Sequence, residues 1–312
     1  MSENIDKKSQ VSQFDELPDA PPKSTIRLSW IGRISVAIVA AWIFLAIFGP
    51  WVAPWAESHF IEEDAQGNYF LDPGFMLPNA SVNSYLGTDY LGRDVLSRVI
   101  WGARTTIGIS FAATLLAYFV GITLGIAAAV AGRLTDMTLS RGVDAILAFP
   151  NIMLGLIVIA AFGSSIPLLI GLAGLVYAAS VYRIARALGQ DIMVQDFVEA
   201  AKARGEGLWW IITREILPNA AMPLATDFGL RLIFVILFIS SLSFLGLGVQ
   251  PPISDWGSMV RENMAGLGFG FSGGALASVA PALAIASLTI AINLIVDDIS
   301  AQAGGNLAKK MV

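Results

Sequence analysis

The chain has 312 residues, 55% hydrophobic and 14% charged, with a mean hydropathy of +0.69; soluble domains carry about 25% charged residues, so lipid is the expected solvent. A net charge of −5 lacks the basic face that nucleic acid demands and excludes it as a partner. With no cysteine and one histidine, His59, disulfides, zinc and iron–sulfur sites and thiol catalysis are excluded as well.

The first 28 residues are polar, contain PDAPPKS, and read as a disordered cytoplasmic tail. The apolar run behind them exceeds the core of about 7–15 residues of a signal peptide, so an uncleaved first span over 29–55 is expected. Five stretches lack any Asp, Glu, Lys or Arg: 34–56, 105–132, 145–182, 232–254 and 263–296. A helix over the whole of 145–182 would measure about 57 Å, too long for a hydrocarbon core of about 30 Å. GSSIP at 163–167 is a turn signal, so this stretch is two helices. The last stretch opens with AGLGFGFSGG, a poor helix, and only its later part should span. The result is an all-α membrane protein with six transmembrane helices, near 34–54, 104–131, 144–162, 167–185, 227–247 and 275–296. Fifteen of the 19 Lys and Arg residues fall on the side holding both termini, which is therefore cytoplasmic.

Residues 56–103 form the largest external segment, with acids Glu57, Glu62, Glu63, Asp64, Asp72, Asp89 and Asp94. His59 beside Glu57 reads as a surface histidine. In LGTDYLGRD, Gly87 and Gly92 suit turns, and Asp89, Arg93 and Asp94 suit local ion pairs. This motif either locks a loop onto the second span or contacts solute or a binding protein.

The segment DFVEAAKARGEGLWWIITREILPN at 196–219 holds seven charged residues in an otherwise apolar chain. Phe197, Ala200, Ala201 and Arg204 recur at helical spacing on one face. Gly205 suits a left-handed helix end. Trp209, Ile212 and Ile216 form a second stripe, and Pro218 is expected to stop it. Two short helices with a glycine elbow follow, either an interfacial connector or a helix that docks on a soluble partner. In SFLGLG, Ser243, Phe244, Gly246 and Gly248 permit close helix packing or line a pore. No ionisable group is expected near the middle of a span; Asp227, Arg231, Asp297 and Asp298 are placed near span ends, as snorkelling or capping groups. No phosphate loop occurs, the glycine cluster at 265–274 lacking its lysine, so uphill transport would draw energy from another subunit. A self-contained channel, a proton-coupled carrier and a membrane scaffold are the alternatives.

Glu199-Ala200-Ala201, Gly205 and Ile216-Leu217-Pro218 resemble the EAA loop of ABC importer permeases. LGTDYLGRDVLSRVIWGART at 86–105, DAILAFPNIMLG at 144–155 and LSFLGLGVQPPISDWGSM at 242–259 are similar to the dipeptide/oligopeptide/nickel (opine) subgroup, specifically its second permease subunit. The likeness covers roughly residues 30–298. It departs at Glu215, in the external loop after the first span, and in the ending DDISAQAGGNLAKKMV.

The resemblance implies a type I ABC importer permease fold, with a five-helix core over 104–300, a coupling loop at about 186–222 and a cytoplasmic tail over 301–312. It implies a second permease subunit as heterodimer partner, two ATP-binding subunits, an extracytoplasmic solute-binding protein, and the bilayer of a bacterial inner membrane. The chain would bind no cofactor and catalyse nothing, ATP and Mg residing on the ATPase subunits. Ala201 and Gly205 are expected at the contact with those subunits, where bulk would block docking.

Overall fold

The computed structural model describes residues 28–61, 83–270 and 274–310. The tail ahead of residue 28, with Lys7 and Lys8, lies outside these, as do Glu62, Glu63, Asp64 and Asp72 of the external segment. Among the described residues every regular element is helical. Five helices are long and apolar enough to cross a membrane, or six spans if one bent pair counts as a span.

The first helix, α1 (Trp30–Val52), carries exposed tryptophans at both ends, Trp30 and Trp51. They stand about 31 Å apart along the helix, close to the hydrocarbon thickness, as aromatic belts do. Its cap, Ser29, gives its backbone N–H to Asp298 at 2.8 Å. Asp298 therefore caps a neighbouring helix, as its place near a span end suggested.

Helix α2 (Val95–Val130) begins nine residues before the expected span. At 36 residues it measures about 54 Å, so it projects beyond the hydrocarbon. The projecting turns hold Arg98 and Arg104, and Asp94 caps them through the Ser97 N–H at 2.7 Å.

The expected span at 144–162 is not one straight helix. Helix α3 (Arg133–Leu147) and α4 (Asn151–Phe162) meet at 84°. Pro150 explains the break, because the residue before a proline is forced out of the helical region. The turn at 163–165 then leads into α5 (Ile166–Met193), as GSSIP indicated.

Helices α2 and α5 run side by side because their touching faces lack side chains. A Cβ on Gly121 would meet Val181 Cβ at 2.6 Å and the Ala178 carbonyl at 2.9 Å; on Gly125 it would meet the Tyr182 carbonyl at 2.7 Å. From the other side, Gly174 accommodates Leu116 and Gly189 accommodates Ala129. Small residues that let backbones approach are how membrane helices gain packing energy without a hydrophobic drive.

A short α6 (Asp196–Ala203) and one turn of α7 (Leu208–Ile211) follow. A π-helical turn over Ile212–Ile216 joins α7 to α8 (Leu217–Phe244). Helix α8 packs on both sides. Val235, Phe238, Ile239 and Leu242 join an apolar cluster with α2, α4 and α5. Ile236 joins a second cluster with α2, α9 (Trp256–Glu262) and α10 (Ala275–Lys310). The terminal segment expected as a tail continues α10 as helix to Lys310.

The bundle has two distinct ends. One gathers the α1 cap, Asp298, the Arg186–Asp136 pair and the hairpin. The other gathers residues 55–61 and 83–94, the α4–α5 turn and α9.

If the α2–α5 contact depends on absent side chains, Gly121→Val should overpack it by about 1–3 kcal/mol. The expected result is a smaller monodisperse fraction on gel filtration of the detergent-extracted chain. Gly108→Ala, where a Cβ meets nothing within 4 Å, should leave that fraction unchanged.

Candidate functional site

The charged hairpin is anchored by its inward face. Val198 and Ala201 are fully buried, in a cluster with Ile126 of α2 and with Ile211 and Ile216. Glu199, Ala200, Lys202, Ala203 and Arg204 face outward. Acids Asp196 and Glu199 in the first turn and Lys202 in the last complement the helix dipole. Gly205 has φ +86°, and the bonds Gly205 N–H to Lys202 O and Glu206 N–H to Ala201 O close a Schellman end. Nothing lies within 4 Å of where a Cβ on Gly205 would stand. Val194, Phe197, Leu208 and Trp209 are exposed apolar groups on the same hairpin.

Three expectations change here. Ala201 packs inside its own chain, so only Gly205 of the two favoured positions is open to a partner. The second stripe is Ile211 and Ile216 facing inward, while Trp209 is 76% exposed. Pro218 does not stop the second arm. The Leu217 N–H reaches Ile212 O across the π-turn, and Asn219 Nδ2 donates to the Glu215 carbonyl at 2.7 Å. The proline therefore falls where the register changes and its missing N–H is least missed. The hairpin arm and α8 are one continuous rod.

At the far end, Asp89 is fully enclosed. It accepts from Arg93 Nε at 2.7 Å, Arg98 Nη1 at 2.5 Å, and the Leu91 and Arg93 amides at 2.9 Å. Glu262 of α9 accepts from both arginines at 3.3 Å. Two cations and two anions thus neutralise one another in a nearly closed site, which is what keeps such charges from being destabilising. Asp94 caps α2 and accepts from Ser84 Oγ at 2.9 Å. Gly87 and Gly92 both have positive φ. The geometry is that of a locked loop; Arg98 and Glu262 were not among the expected members. The spacing of Asp89, Arg93 and Arg98 held a signal for the first, but Glu262 lies too far along the chain for any local pattern.

Trp256 is fully buried beside this cluster. Its Nε1–H donates to the Val99 carbonyl at 2.9 Å, its N–H to Thr106 Oγ1 at 3.1 Å, and its ring meets Trp42 edge-on at 4.8 Å. Asp255, which caps α9, is equally enclosed. Burial pushes its carboxyl up, opposed by the Gly257 and Ser258 amides, which donate to Oδ2 at 2.9 and 3.4 Å.

SFLGLG ends α8. Gly246, φ +84°, closes a second Schellman end through Gly246 N–H to Ser243 O and Leu247 N–H to Leu242 O. A Cβ there would strike the Arg261 guanidinium at 2.8 Å, and Gly248 presses on Ser243. Ser243, Gly246 and Gly248 are thus packing positions. Phe244 is 39% exposed and borders an apolar cleft of about 580 Å3 with Ser240, Ser241, Gly257 and Ala286.

Asp227 and Arg231 do not cap a helix end; they pair with each other. Helix α8 starts ten residues before Asp227, so both lie inside it. Arg231 Nη2 donates to Asp227 Oδ1 at 2.8 Å, and Tyr118 of α2 donates its hydroxyl to Asp227 Oδ2 at 2.5 Å. The i,i+4 spacing was legible as a pair; Tyr118 gave no sign of itself.

A family model described as binding-protein-dependent transport system inner membrane component matches residues 121–301. The chain belongs to this family of ABC importer permeases. The permease is 33% identical over 230 residues to the dipeptide transport system permease protein DppC of Alkalihalophilus pseudofirmus, covering 74% of this chain and 72% of the relative. It is 32% identical over 271 residues to the glutathione transport system permease protein GsiD of Pectobacterium atrosepticum, covering 85% of each. In fold it is similar to the MetNI methionine ABC transporter, with a TM-score of 0.51 at 17% identity, over 66% of this chain and 96% of that one. The permease is accordingly a multi-pass membrane protein and a transporter component, not an enzyme.

Arg93→Glu would place a third carboxylate among the buried charges at the far end. Breaking a buried network costs about 3–5 kcal/mol, so the unfolding midpoint in detergent should fall sharply. An Arg93→Glu permease that folds with an unchanged midpoint yet no longer transports would give LGRD a contact role instead.

Proposed function

We propose that the permease supplies one half of the pore of an ATP-driven importer, paired with a different permease subunit. Two ATP-binding subunits, holding ATP and Mg, dock on the hairpin from the cytoplasm. An external solute-binding protein delivers the solute at the end formed by 55–61, 83–94 and α9. The excess of Lys and Arg on the hairpin side supports this orientation in a bacterial inner membrane, with both termini cytoplasmic. The relatives carry dipeptide and glutathione in their names, which supports a peptide or a related small solute as cargo.

The observation that carries the coupling role is the unbroken rod from the hairpin into α8. An outward elbow at Gly205, on a hairpin that exposes Phe197, Leu208 and Trp209, meets the ATP-binding subunit. Glu199, Ala200 and Gly205 lie at or beside that contact; Ala201, Ile216, Leu217 and Pro218 hold the elbow to the rod. Closure of the ATP-binding pair would displace the elbow, and α8, packed between two clusters, would shift as a body. Phe244 and its neighbours along α8 then face the solute path.

Gly205→Asp adds bulk and charge at the elbow. Uptake by the reconstituted importer should fall about tenfold or more, the loss of a single interface hot spot, while the chain still inserts. Gly205→Asn tolerates a left-handed backbone, so a similar loss there isolates docking from strain. Normal uptake by both variants would refute the coupling role.

A further inference from the structure

Ionisable groups within a membrane bundle are costly and are retained where they bind or conduct. The Asp227–Arg231 pair is such a case, and neither coupling nor delivery uses it. Its carboxylate is well satisfied, taking Tyr118 at 2.5 Å and Arg231 Nη2 at 2.8 Å. Its guanidinium is not: the buried Nε–H has no partner, although arginine carries five N–H donors in a fixed fork. Arg98 Nε is equally open in the locked loop at the far end, so the open donor of Arg231 gains meaning only from what surrounds it.

The surroundings of that donor have the character of a ligand site. The guanidinium lies 5.9 Å from the ring centre of Phe234. Phe234 walls a cleft of about 370 Å3 together with Asn151, Tyr177, Leu237 and Ser241, between α4, α5 and α8. Tyr177 donates its hydroxyl to the Phe234 carbonyl at 3.0 Å and lies within the electrostatic reach of Arg231. Apolar walls with a few placed polar groups are the composition of a small-molecule pocket, and the cation stands beside its Phe234 wall.

We infer that Arg231 and this cleft form a transient subsite for a carboxylate of the solute in passage. The inference rests on the importer reading above. A guanidinium fork matches a carboxylate and keeps its charge at depth. Asp227 and Tyr118 hold the fork in place and also limit its strength. An arriving carboxylate shares the cation with Asp227, so it is held weakly enough to leave, which conduction requires. Phe234 and Tyr177 offer the aromatic faces against which an apolar side chain of the solute would rest.

The test uses the whole importer in proteoliposomes with ATP, its binding protein and radiolabelled alanyl-alanine. No uptake by the unmodified importer would remove the peptide reading and this subsite with it. Given uptake, the double variant Asp227→Asn with Arg231→Gln removes the cation without stranding a buried charge. It should lose about tenfold in uptake, the worth of one charge-assisted hydrogen bond, while hydrolysis stimulated by the binding protein persists. Arg231→Lys keeps the charge and should retain most of the uptake. A double variant that transports like the unmodified importer would overturn the subsite. So would one that fails to assemble, or that loses hydrolysis and uptake together, because the pair would then only hold α2 to α8.

Discussion

The permease is organised by a contact between backbones. Along α2 and α5, Gly121, Gly125, Gly174 and Gly189 stand where any side chain would force the helices apart. In lipid, apolar side chains gain nothing by leaving solvent for one another, so close approach must supply the association energy. That makes α2 the spine of the fold. Asp94 caps it, its first turn carries Arg98 of the buried charge cluster, its middle carries Tyr118, and its last turns carry Ile126 beneath the hairpin. A shift of α2 against α5 would disturb all three.

On the proposed coupling, helix α8 is the complementary moving part. It is wedged between two apolar clusters and tied to α2 by the Tyr118–Asp227 bond. One end runs without interruption into the hairpin, and the other closes in a glycine cap against Arg261. Close-packed interfaces are bistable rather than continuously deformable, so a push at the hairpin would be passed on as a step. The far end is built to stay fixed. Asp89, Arg93, Arg98 and Glu262 interlock there, and Trp256 joins α9 to α2 and α1. A bundle stiff at one end and driven at the other suits a pore that opens to alternate sides.

Much of this was legible in the sequence because lipid imposes simple rules. Charge-free stretches located the spans, GSSIP located the α4–α5 turn, and Gly205 located the elbow. The bend between α3 and α4 was also written in the chain, at Phe149-Pro150, but the absence of charge across it suggested a straight helix. The hairpin faces were misjudged because Ala200 and Ala201 are equivalent by composition. Only the presence of Ile126 beneath one of them decides which is buried. Glu262 and Tyr118 act on partners 164 and 109 residues away, a relation that no periodicity carries. Pro218 read as a stop because an α-helix cannot absorb it, whereas a π-turn can.

The proposed coupling requires the hairpin to be a docking element for ATP-hydrolysing subunits rather than a connector lying on the membrane. The most direct measurement is to tag the C-terminus, extract the protein in mild detergent, and assay both its co-purifying chains and its ATP hydrolysis. A docking hairpin should bring a second permease and ATP-binding subunits into the preparation, with measurable hydrolysis. A chain that emerges alone and inert, even when co-expressed with neighbouring ATPase genes, would contradict it.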